Sequence, residues 1–355
     1  MMLVAKHLSL ALWAFCPSYT LSSSQNSLNC GVEAVAGTNP SVADWQAIFD
    51  TVAKGPGTWG PDGPSLGTLN DGCGKPKPGE PLPARFPCEL LRAMAMQESS
   101  WKQFCVPDRP SDQVGGPSRT LISFDCGYGI GQVTSGMHKG EAPGFDRSRV
   151  ASSPLYNLAT GASILGGKWK STKCVGDNRL STVEHWYNAT WAYNGQSYIN
   201  NPNNPSYAST RGIYNPSVGG SRPYQERVWG WLEHPPSPAH WKSLKPSYPN
   251  LLALGSSGVP PTLPEPTCAS PTDCTNSRAT NVSACAPAPP DAGVPDAGAP
   301  ITDAGATDAG TLRELAKVSD TLGAPPSGCG CHGTGSSGVA ALAAAWLTRK
   351  RRLLA

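Results

Sequence analysis

The 355-residue chain carries little net charge, since 28 Lys and Arg residues against 25 Asp and Glu residues leave a formal charge of +3 at pH 7. It also lacks a basic stripe interleaved with aromatic residues, which is the usual footprint of a nucleic-acid groove. The sequence therefore predicts no nucleic-acid partner.

The N-terminus shows the order of a secretory signal peptide. Lys6 and His7 come first, the apolar run LSLALWAF follows, and small and polar residues come next. We predict a signal peptide over residues 1–25 and an exported protein, in the cell envelope or at the cell surface, or released from it.

Twelve cysteines fit export, because oxidising compartments allow thiols to pair. A zinc site is the alternative, but the cysteine spacings are wide and no histidine pair accompanies them. An even set lies in or just before the compact region and predicts three bridges whose pairing the sequence does not reveal: Cys30, Cys73, Cys88, Cys105, Cys126 and Cys174. A further three are expected to form a small looped knot farther along, in which one thiol would be left over or would pair elsewhere because three is an odd number: Cys268, Cys274 and Cys285.

The composition changes after about Pro235, and from Pro260 to Ala309 it is dominated by Pro, Ala, Thr, Asp and Gly. Asp-Ala-Gly repeats begin at Asp291, Asp296, Asp303 and Asp308. Such a segment buries too little apolar surface to offset its ordering entropy. Residues 235–328 are therefore predicted to be a disordered linker that serves as a stalk; calcium binding is the alternative, although the repeat spacing matches no ligand loop.

The C-terminal tail, residues 329–355, lacks a long hydrophobic run. Its apolar segment, from about Val339 to Leu347, is much shorter than the ~20 residues that a membrane span needs. Cys329 and Cys331 precede this segment, and four basic residues, Arg349 to Arg352, follow it and favour a cytoplasmic end. The tail resembles sorting signals of the MYXO-CTERM type, which implies sorting machinery as a partner; a marginal membrane anchor is the alternative.

The compact region, residues 39–234, is predicted to be mainly α-helical. Ser41 with Asp44 is an acidic variant of the capping box and opens an amphipathic helix. The segment SPLYNLATGASILGGKW predicts a long core helix, and LSTVEHWYNATWAYNG predicts another, with Ser181 and Glu184 as its capping box and its end at Asn194 and Gly195.

One carboxylate stands out on the helix that begins near Pro87 and reads CELLRAMAMQESSW. Glu98 shares a helical face with Leu91, Met94 and Ala95, so it points toward the core side. Loss of hydration raises the pKa of such a carboxyl and keeps a proton available near neutral pH. The structural alternative is a buried ion pair with an arginine such as Arg92 or Arg119.

Five segments occur in the order seen in soluble-lytic-type lytic transglycosylases, which have a lysozyme-like fold. They are AMQESSW, GYGIGQV, Asn157 with Gly161, the segment Ala192 to Gly195, and SRPYQERV with Tyr224 and Val228. The resemblance covers roughly Pro83 to Leu232 and implies a lysozyme-like domain with disulfide-tied loops, acting as a monomer on peptidoglycan glycan strands. Gly131 replaces the methionine usual before the glutamine, and Gly220 stands where an acid often opens the last segment.

Carried over to this chain, the resemblance makes Glu98 the catalytic acid/base. It implies that Ser99 supports the site as a polar neighbour among the substrate-binding residues. It also implies that Gln132 contacts the sugar, that Tyr193 lies close to the carboxyl, and that Asn194 shapes the cleft wall. The resemblance implies neither a metal nor an organic cofactor.

A transglycosylase needs one carboxyl, whereas most glycosidases need two. The implied product carries 1,6-anhydromuramic ends. Two other functions remain open: a hydrolytic lysozyme of the goose type, in which Asp125 would hold a water molecule, and a catalytically inactive wall-binding module. On the sequence alone, a loop-capping role for Asp125 is favoured over a catalytic one.

Overall fold

The computed structural model describes residues 29–64, 86–105, 118–207, 213–278, 280 and 285. All of them belong to one compact unit, Met1–Ala304. The predicted signal peptide at 1–25 and the predicted tail at 329–355 lie outside the described residues, as does about half of the predicted linker at 235–328.

The described residues are mostly helical with few strands, so the mainly α prediction is confirmed at that level. The helices are α1 Val42–Ala53, α2 Pro56–Trp59, α3 Cys88–Ser99, α4 Arg147–Ser152, α5 Pro154–Ser171, α6 Tyr187–Tyr193, α7 Tyr224–Glu233 and α8 Leu251–Leu254. Short 3-10 turns occur at Gly60–Asp62, Val183–Trp186 and Tyr198–Asn200. Strands β1 Phe104–Cys105 and β2 Arg119–Thr120 pair antiparallel, with Phe104 opposite Thr120.

The predicted start of α1 is confirmed. The Ser41 side chain accepts a hydrogen bond from the Asp44 backbone N–H, and the Asp44 carboxylate accepts one from the Ser41 backbone N–H. Two donors at the helix start are thereby satisfied. One face of α1 buries the side chains of Trp45, Phe49 and Val52 in the core.

The core lies between α1, α3, α5, α6 and α7. Helix α3 packs against α1 and α7, and α5 packs against α1, α4 and α6. Large aromatic rings fill the space between these helices; Trp169 and Trp186, for example, have ring centroids 4.3 Å apart. Because α3 is buried along nearly its whole length, the position of its last turn is set by the helices around it.

The predicted capping box at Ser181 and Glu184 is wrong. Residues Val183–Trp186 form a 3-10 turn without a side-chain cap, and α6 begins only at Tyr187. The buried Glu184 carboxylate instead accepts hydrogen bonds from the backbone N–H groups of Ser247, at 3.0 Å, and Thr280, at 2.9 Å. A tertiary contact has therefore replaced the local one.

The predicted boundary between folded domain and linker at residues 234/235 is also wrong. Trp241, Tyr248, Leu254 and Leu263 are buried in the same core cluster as the helices. Although prolines separate them, these apolar side chains bury enough surface to hold the segment in place. We call residues 235–285 the C-terminal extension; its residues 279 and 281–284 lie outside the described part.

Three disulfides have both cysteines among the described residues, and one of them ties this extension to a helix. Cys30–Cys126 lies within the predicted set of six, and Cys268–Cys274 lies within the predicted knot. Cys88, however, pairs with Cys285, so the expectation that the six close among themselves is wrong. Two others, Cys105 and Cys174, are also disulfide-bonded.

No helix in the described part of the chain has both the length and the apolar character required to cross a membrane.

Candidate active site

Glu98 lies in the last turn of α3 and lines a small pocket on the core side, as its helical face predicts. Leu91, Met94 and Ala95 line the same pocket. The remaining lining residues come from α5, α6 and residues 127–133 (GYGIGQV), which we call the glycine loop: Gly131, Leu158, Gly161, Ala162, Leu165 and Tyr193. The carboxyl group therefore stands where three helices and a loop converge.

Helix α3 ends at Ser99, directly after Glu98, and the chain then turns sharply. Ser100 and Trp101 both have left-handed backbone angles, with φ of 52° and 59°. Each costs of order 1 kcal/mol in a residue other than glycine. Burial of Trp101 offsets this cost: its indole N–H donates to the Arg92 carbonyl at 2.9 Å, and its ring packs 4.7 Å from Phe49.

Tyr224, the first residue of α7, holds the Glu98 carboxyl. Its hydroxyl donates a hydrogen bond to Glu98 Oε1 at 2.5 Å. Among the described residues it is the only hydrogen-bond partner of that carboxyl, so Oε2 is left available. The sequence analysis named Tyr224 only as part of the SRPYQERV segment. Nothing in that segment identified it as a hydrogen-bond partner of Glu98.

The environment raises the pKa of Glu98 to about 8. Desolvation is the main cause, and the negative charge of Asp125 adds to it, whereas the hydrogen bond from Tyr224 acts in the opposite direction. A carboxyl in this state is protonated at neutral pH and can act as a general acid.

The arginines considered as ion-pair partners are engaged elsewhere. Arg92 Nη1 lies 3.8 Å from Glu89 Oε1, and Arg119 Nη2 donates to the Ala34 carbonyl at 3.0 Å. Within the described part of the chain, no ion pair involves Glu98. The structural alternative therefore finds no support there.

Tyr193 is the last residue of α6 and lines the pocket together with Glu98. Its hydroxyl donates to the Gly131 carbonyl at 2.7 Å. Burial raises the pKa of Tyr193, and the negative charge of Glu98 adds to this shift. The structure thus brings Tyr193 and Glu98 together.

Ser99 is fully buried and faces the protein interior. Its hydroxyl lies 2.9 Å from the Ile130 carbonyl and 3.1 Å from the Ala95 carbonyl, and it accepts a hydrogen bond from the Lys102 backbone N–H. Ser99 therefore joins α3 to the glycine loop and does not face the cleft.

Gln132 belongs to the glycine loop, and its side chain folds back onto that loop. It has a left-handed backbone, with φ of 44°, and its Nε2 donates to the Gly129 carbonyl at 2.9 Å. The residue is half-buried. In this conformation its amide stabilises the loop.

Asn157 of α5 holds the glycine loop from below. Its Oδ1 accepts from the Gly131 N–H at 2.9 Å, and its Nδ2 donates to the carbonyls of Tyr128, at 2.7 Å, and Val150, at 2.9 Å. One turn later, a Cβ atom on Gly161 would lie 3.1 Å from the Tyr193 hydroxyl and 3.8 Å from Gly131 Cα. The Asn-x-x-x-Gly spacing thus supplies both a clamp and room for the loop and Tyr193.

Two further predicted residues are exposed. Asn194 follows Tyr193, and its Oδ1 accepts a hydrogen bond from Asn200 Nδ2 at 3.2 Å. Asp125 accepts a hydrogen bond from the Ser123 hydroxyl at 2.6 Å, while its charge also acts on Glu98. Asp125 thus contacts the side chain of a loop neighbour and acts electrostatically on the site; the loop-capping role, in which its carboxylate would accept a backbone N–H, stays a prediction.

Among the described residues, one group has side-chain ligand atoms close enough together to hold a metal ion: Asp177, His185 and Glu265. His185 Nδ1 accepts a hydrogen bond from the Arg179 backbone N–H at 2.7 Å, which places the ring proton on Nε2, 2.7 Å from Glu265 Oε2. Both ring nitrogens are thus engaged, and neither is open to a metal ion.

Comparison with models of known protein families, with curated proteins and with solved structures finds no match to this chain.

Proposed function

We propose that the chain is a peptidoglycan lytic transglycosylase. It would cleave the β-1,4 bond between N-acetylmuramic acid and N-acetylglucosamine and leave 1,6-anhydromuramic ends. One arrangement carries the proposal: the Glu98 carboxyl is held through one oxygen by Tyr224, has its other oxygen available in a pocket shared with Tyr193, and has a pKa that desolvation raises to about 8.

The reaction uses this single carboxyl twice. Protonated Glu98 donates to the glycosidic oxygen, and the bond from that oxygen to the anomeric carbon of muramic acid breaks. The resulting carboxylate accepts the proton of the muramic acid C6 hydroxyl, whose oxygen forms a bond to the same anomeric carbon. No water is consumed, and the tethered nucleophile has a large effective molarity.

The neighbouring groups suit both steps. Desolvation favours the neutral acid before proton transfer, and the hydrogen bond from Tyr224 stabilises the carboxylate after it. Gly131, Asn157 and Tyr193 are joined by hydrogen bonds, which keeps the loop opposite Glu98 in one conformation. Of the four residues named from the sequence as substrate-binding, Gln132, Tyr193 and Asn194 remain part of this proposal, whereas Ser99 faces the protein interior.

A hydrolytic lysozyme is the second candidate, because the charge of exposed Asp125 reaches Glu98. In that enzyme Asp125 would orient a water molecule, and the product would carry reducing ends.

Purified sacculi digested by the wild-type chain and by two variants distinguish these functions. We expect Glu98→Gln to lose at least about 10²-fold in glycan cleavage, since general acid–base catalysis contributes about 10²–10⁴-fold. Asp125→Asn, the matched control, should retain most activity, and mass spectrometry should detect anhydro ends. If the products carry only reducing ends and Asp125→Asn is inactive, the protein is a hydrolytic lysozyme instead. Binding without cleavage by the wild type would leave only a wall-binding module.

The cellular setting is part of the same proposal. Three disulfides among the described residues fit an oxidising compartment and hence an exported protein. We propose that the chain acts as a monomer in the cell envelope or outside it, and that the tail at 329–355 is read by a sorting machinery.

A further inference from the structure

Two tyrosines reach Glu98 from two different helix ends. Tyr193 is the last residue of α6, and Tyr224 is the first residue of α7. Between them the chain makes a long connection, of which residues 208–212 lie outside the described part. Helices α6 and α7 pack together directly at Tyr187, whose ring lies 5.3 Å from that of Trp229, but Tyr187 is at the other end of α6 from Tyr193. A further contact joins the Tyr193 end of α6 to the start of α7.

Asn200 makes that contact. It is buried in the 3-10 turn Tyr198–Asn200. Its Nδ2 donates to Asn194 Oδ1 and to the Gly195 carbonyl, both at 3.2 Å, which ties it to the two residues that follow α6. The two amide protons of one side chain thus serve the same helix end.

The link to α7 runs through Gln225, which is fully buried next to Tyr224. Gln225 Nε2 donates to the Asn200 carbonyl at 2.8 Å and lies 3.3 Å from the Tyr187 hydroxyl at the start of α6. Gln225 Oε1 has no hydrogen-bond partner among the described residues. Two hydrogen bonds hold the Gln225 amide, and the one to the Asn200 carbonyl is the shorter.

We propose that Asn200 is a positioning residue for the catalytic carboxyl, because it joins the end of α6 to the start of α7 and so sets Tyr193 and Tyr224 around Glu98. This inference rests on the proposed function for its meaning in catalysis. It predicts that a neutral change at position 200, which touches neither Glu98 nor a bound glycan, alters the protonation of Glu98.

The direction of the change follows from the groups that face Glu98. These are Tyr224 from α7, Tyr193 from α6, and Asp125 from the segment just before the glycine loop. When Tyr224 is less well placed, the carboxylate loses its stabilising hydrogen bond while desolvation and the charge of Asp125 remain. The pKa of Glu98 should then rise further.

The test is a ¹³C NMR titration of glutamate-labelled protein, with Glu98→Gln used to assign the signal. Tyr224→Phe gives the reference shift for complete loss of the hydrogen bond. In Asn200→Ala we expect the pKa of Glu98 to rise by about half a unit or more, and kcat at neutral pH to fall several-fold with little change in KM. Gln225→Met should have the same effect, and the double variant should not exceed either single one by much.

Asn204→Ala is the matched control. Asn204 lies in the same segment, and its Nδ2 donates only to the Tyr198 carbonyl, at 3.2 Å, so the pKa of Glu98 should stay at the wild-type value. A wild-type pKa of Glu98 in folded Asn200→Ala would overturn the inference, whatever happens to stability. If Asn200→Ala does not fold, the same criterion applies to Gln225→Met. Absence of glycan cleavage by the wild type would refute the proposed function, but the titration would still decide the positioning role.

Discussion

Glu98 is an acid on an otherwise apolar helical face, and the structure explains what this arrangement does. Leu91, Met94 and Ala95 withdraw the carboxyl from water, while Tyr224 provides one hydrogen bond to it. The result is a pKa of about 8, against an ordinary value of 4.5. The raised pKa lowers the free energy of unfolding above pH 4.5, because the ionised form of Glu98 is disfavoured only in the folded state.

A pH series of melting curves tests this cost. Below pH 4.5 the carboxyl is protonated in both states; as the pH rises toward 8, the unfolded chain ionises and the folded one does not, so the wild type loses stability across that range. Glu98→Gln removes this loss. We expect it to exceed the wild type by about 2 kcal/mol, or roughly 5 °C in Tm, at pH 8, with a smaller difference at pH 5.

Exposed Glu141 supplies the control: its carboxylate contacts His138, through the backbone N–H at 3.0 Å and Nδ1 at 3.5 Å, and lies away from the pocket, so Glu141→Gln should not exceed the wild type in stability at pH 8. A difference between Glu98→Gln and wild type that does not grow with pH would contradict desolvation as the cause.

At the scale of elements, two of the three glycines of α5, Gly161 and Gly167, differ in the space around them. Gly161 faces Tyr193 and the glycine loop, whereas a Cβ atom on Gly167 would meet nothing within 4 Å. Glycine inside a helix costs about 1 kcal/mol relative to alanine, so a gain is available wherever space allows. The difference between the two positions therefore measures the close packing at the site.

We expect Gly167→Ala to stabilise the protein by up to about 1 kcal/mol and Gly161→Ala to destabilise it by about 1–2 kcal/mol. The added methyl group at position 161 lies 3.1 Å from the Tyr193 hydroxyl and should weaken its bond to Gly131. Urea unfolding of both variants gives the two values. Equal stabilisation at both positions would mean that Tyr193 moves aside without cost.

For the whole molecule, the C-terminal extension is part of the folded unit. Trp241 and Tyr248 are fully buried, and Arg278 pairs with Glu233 at the end of α7. The Cys88–Cys285 bridge, with a sequence separation of 197, links this segment to the start of α3. The helix that carries Glu98 therefore depends on residues almost two hundred positions later.

Truncation tests this dependence. A chain ending after His234 loses the buried extension and the bridge, and we expect no cooperative thermal transition. A chain ending after Pro290 keeps both and should melt within about 2 °C of the full chain. The double variant Cys88→Ser with Cys285→Ser should still fold, at a cost of about 2–5 kcal/mol. A stable, cooperatively melting protein ending at residue 234 would show that the extension is dispensable.

The sequence by itself determined the local features, because they depend on neighbouring residues. It predicted the capping box of α1, a helix over SPLYNLATGASILGGKW where the structure has Pro154–Ser171, a helix stop at Asn194 and Gly195 directly after Tyr193, and the core-facing side of Glu98. Periodicity and turn residues act over a few positions and are therefore readable without coordinates.

Only the tertiary structure decided the rest. The Tyr224 hydroxyl donates a hydrogen bond to Glu98, which is 126 positions away in the sequence. The Glu184 carboxylate binds the backbone of Ser247 and Thr280 and does not form the expected cap. Cys88 pairs with Cys285. Each of these contacts joins groups that are distant in sequence and is selected by the packing of the whole chain. Local pattern carries no information about such choices, since a buried polar group takes whichever partner the fold places within reach.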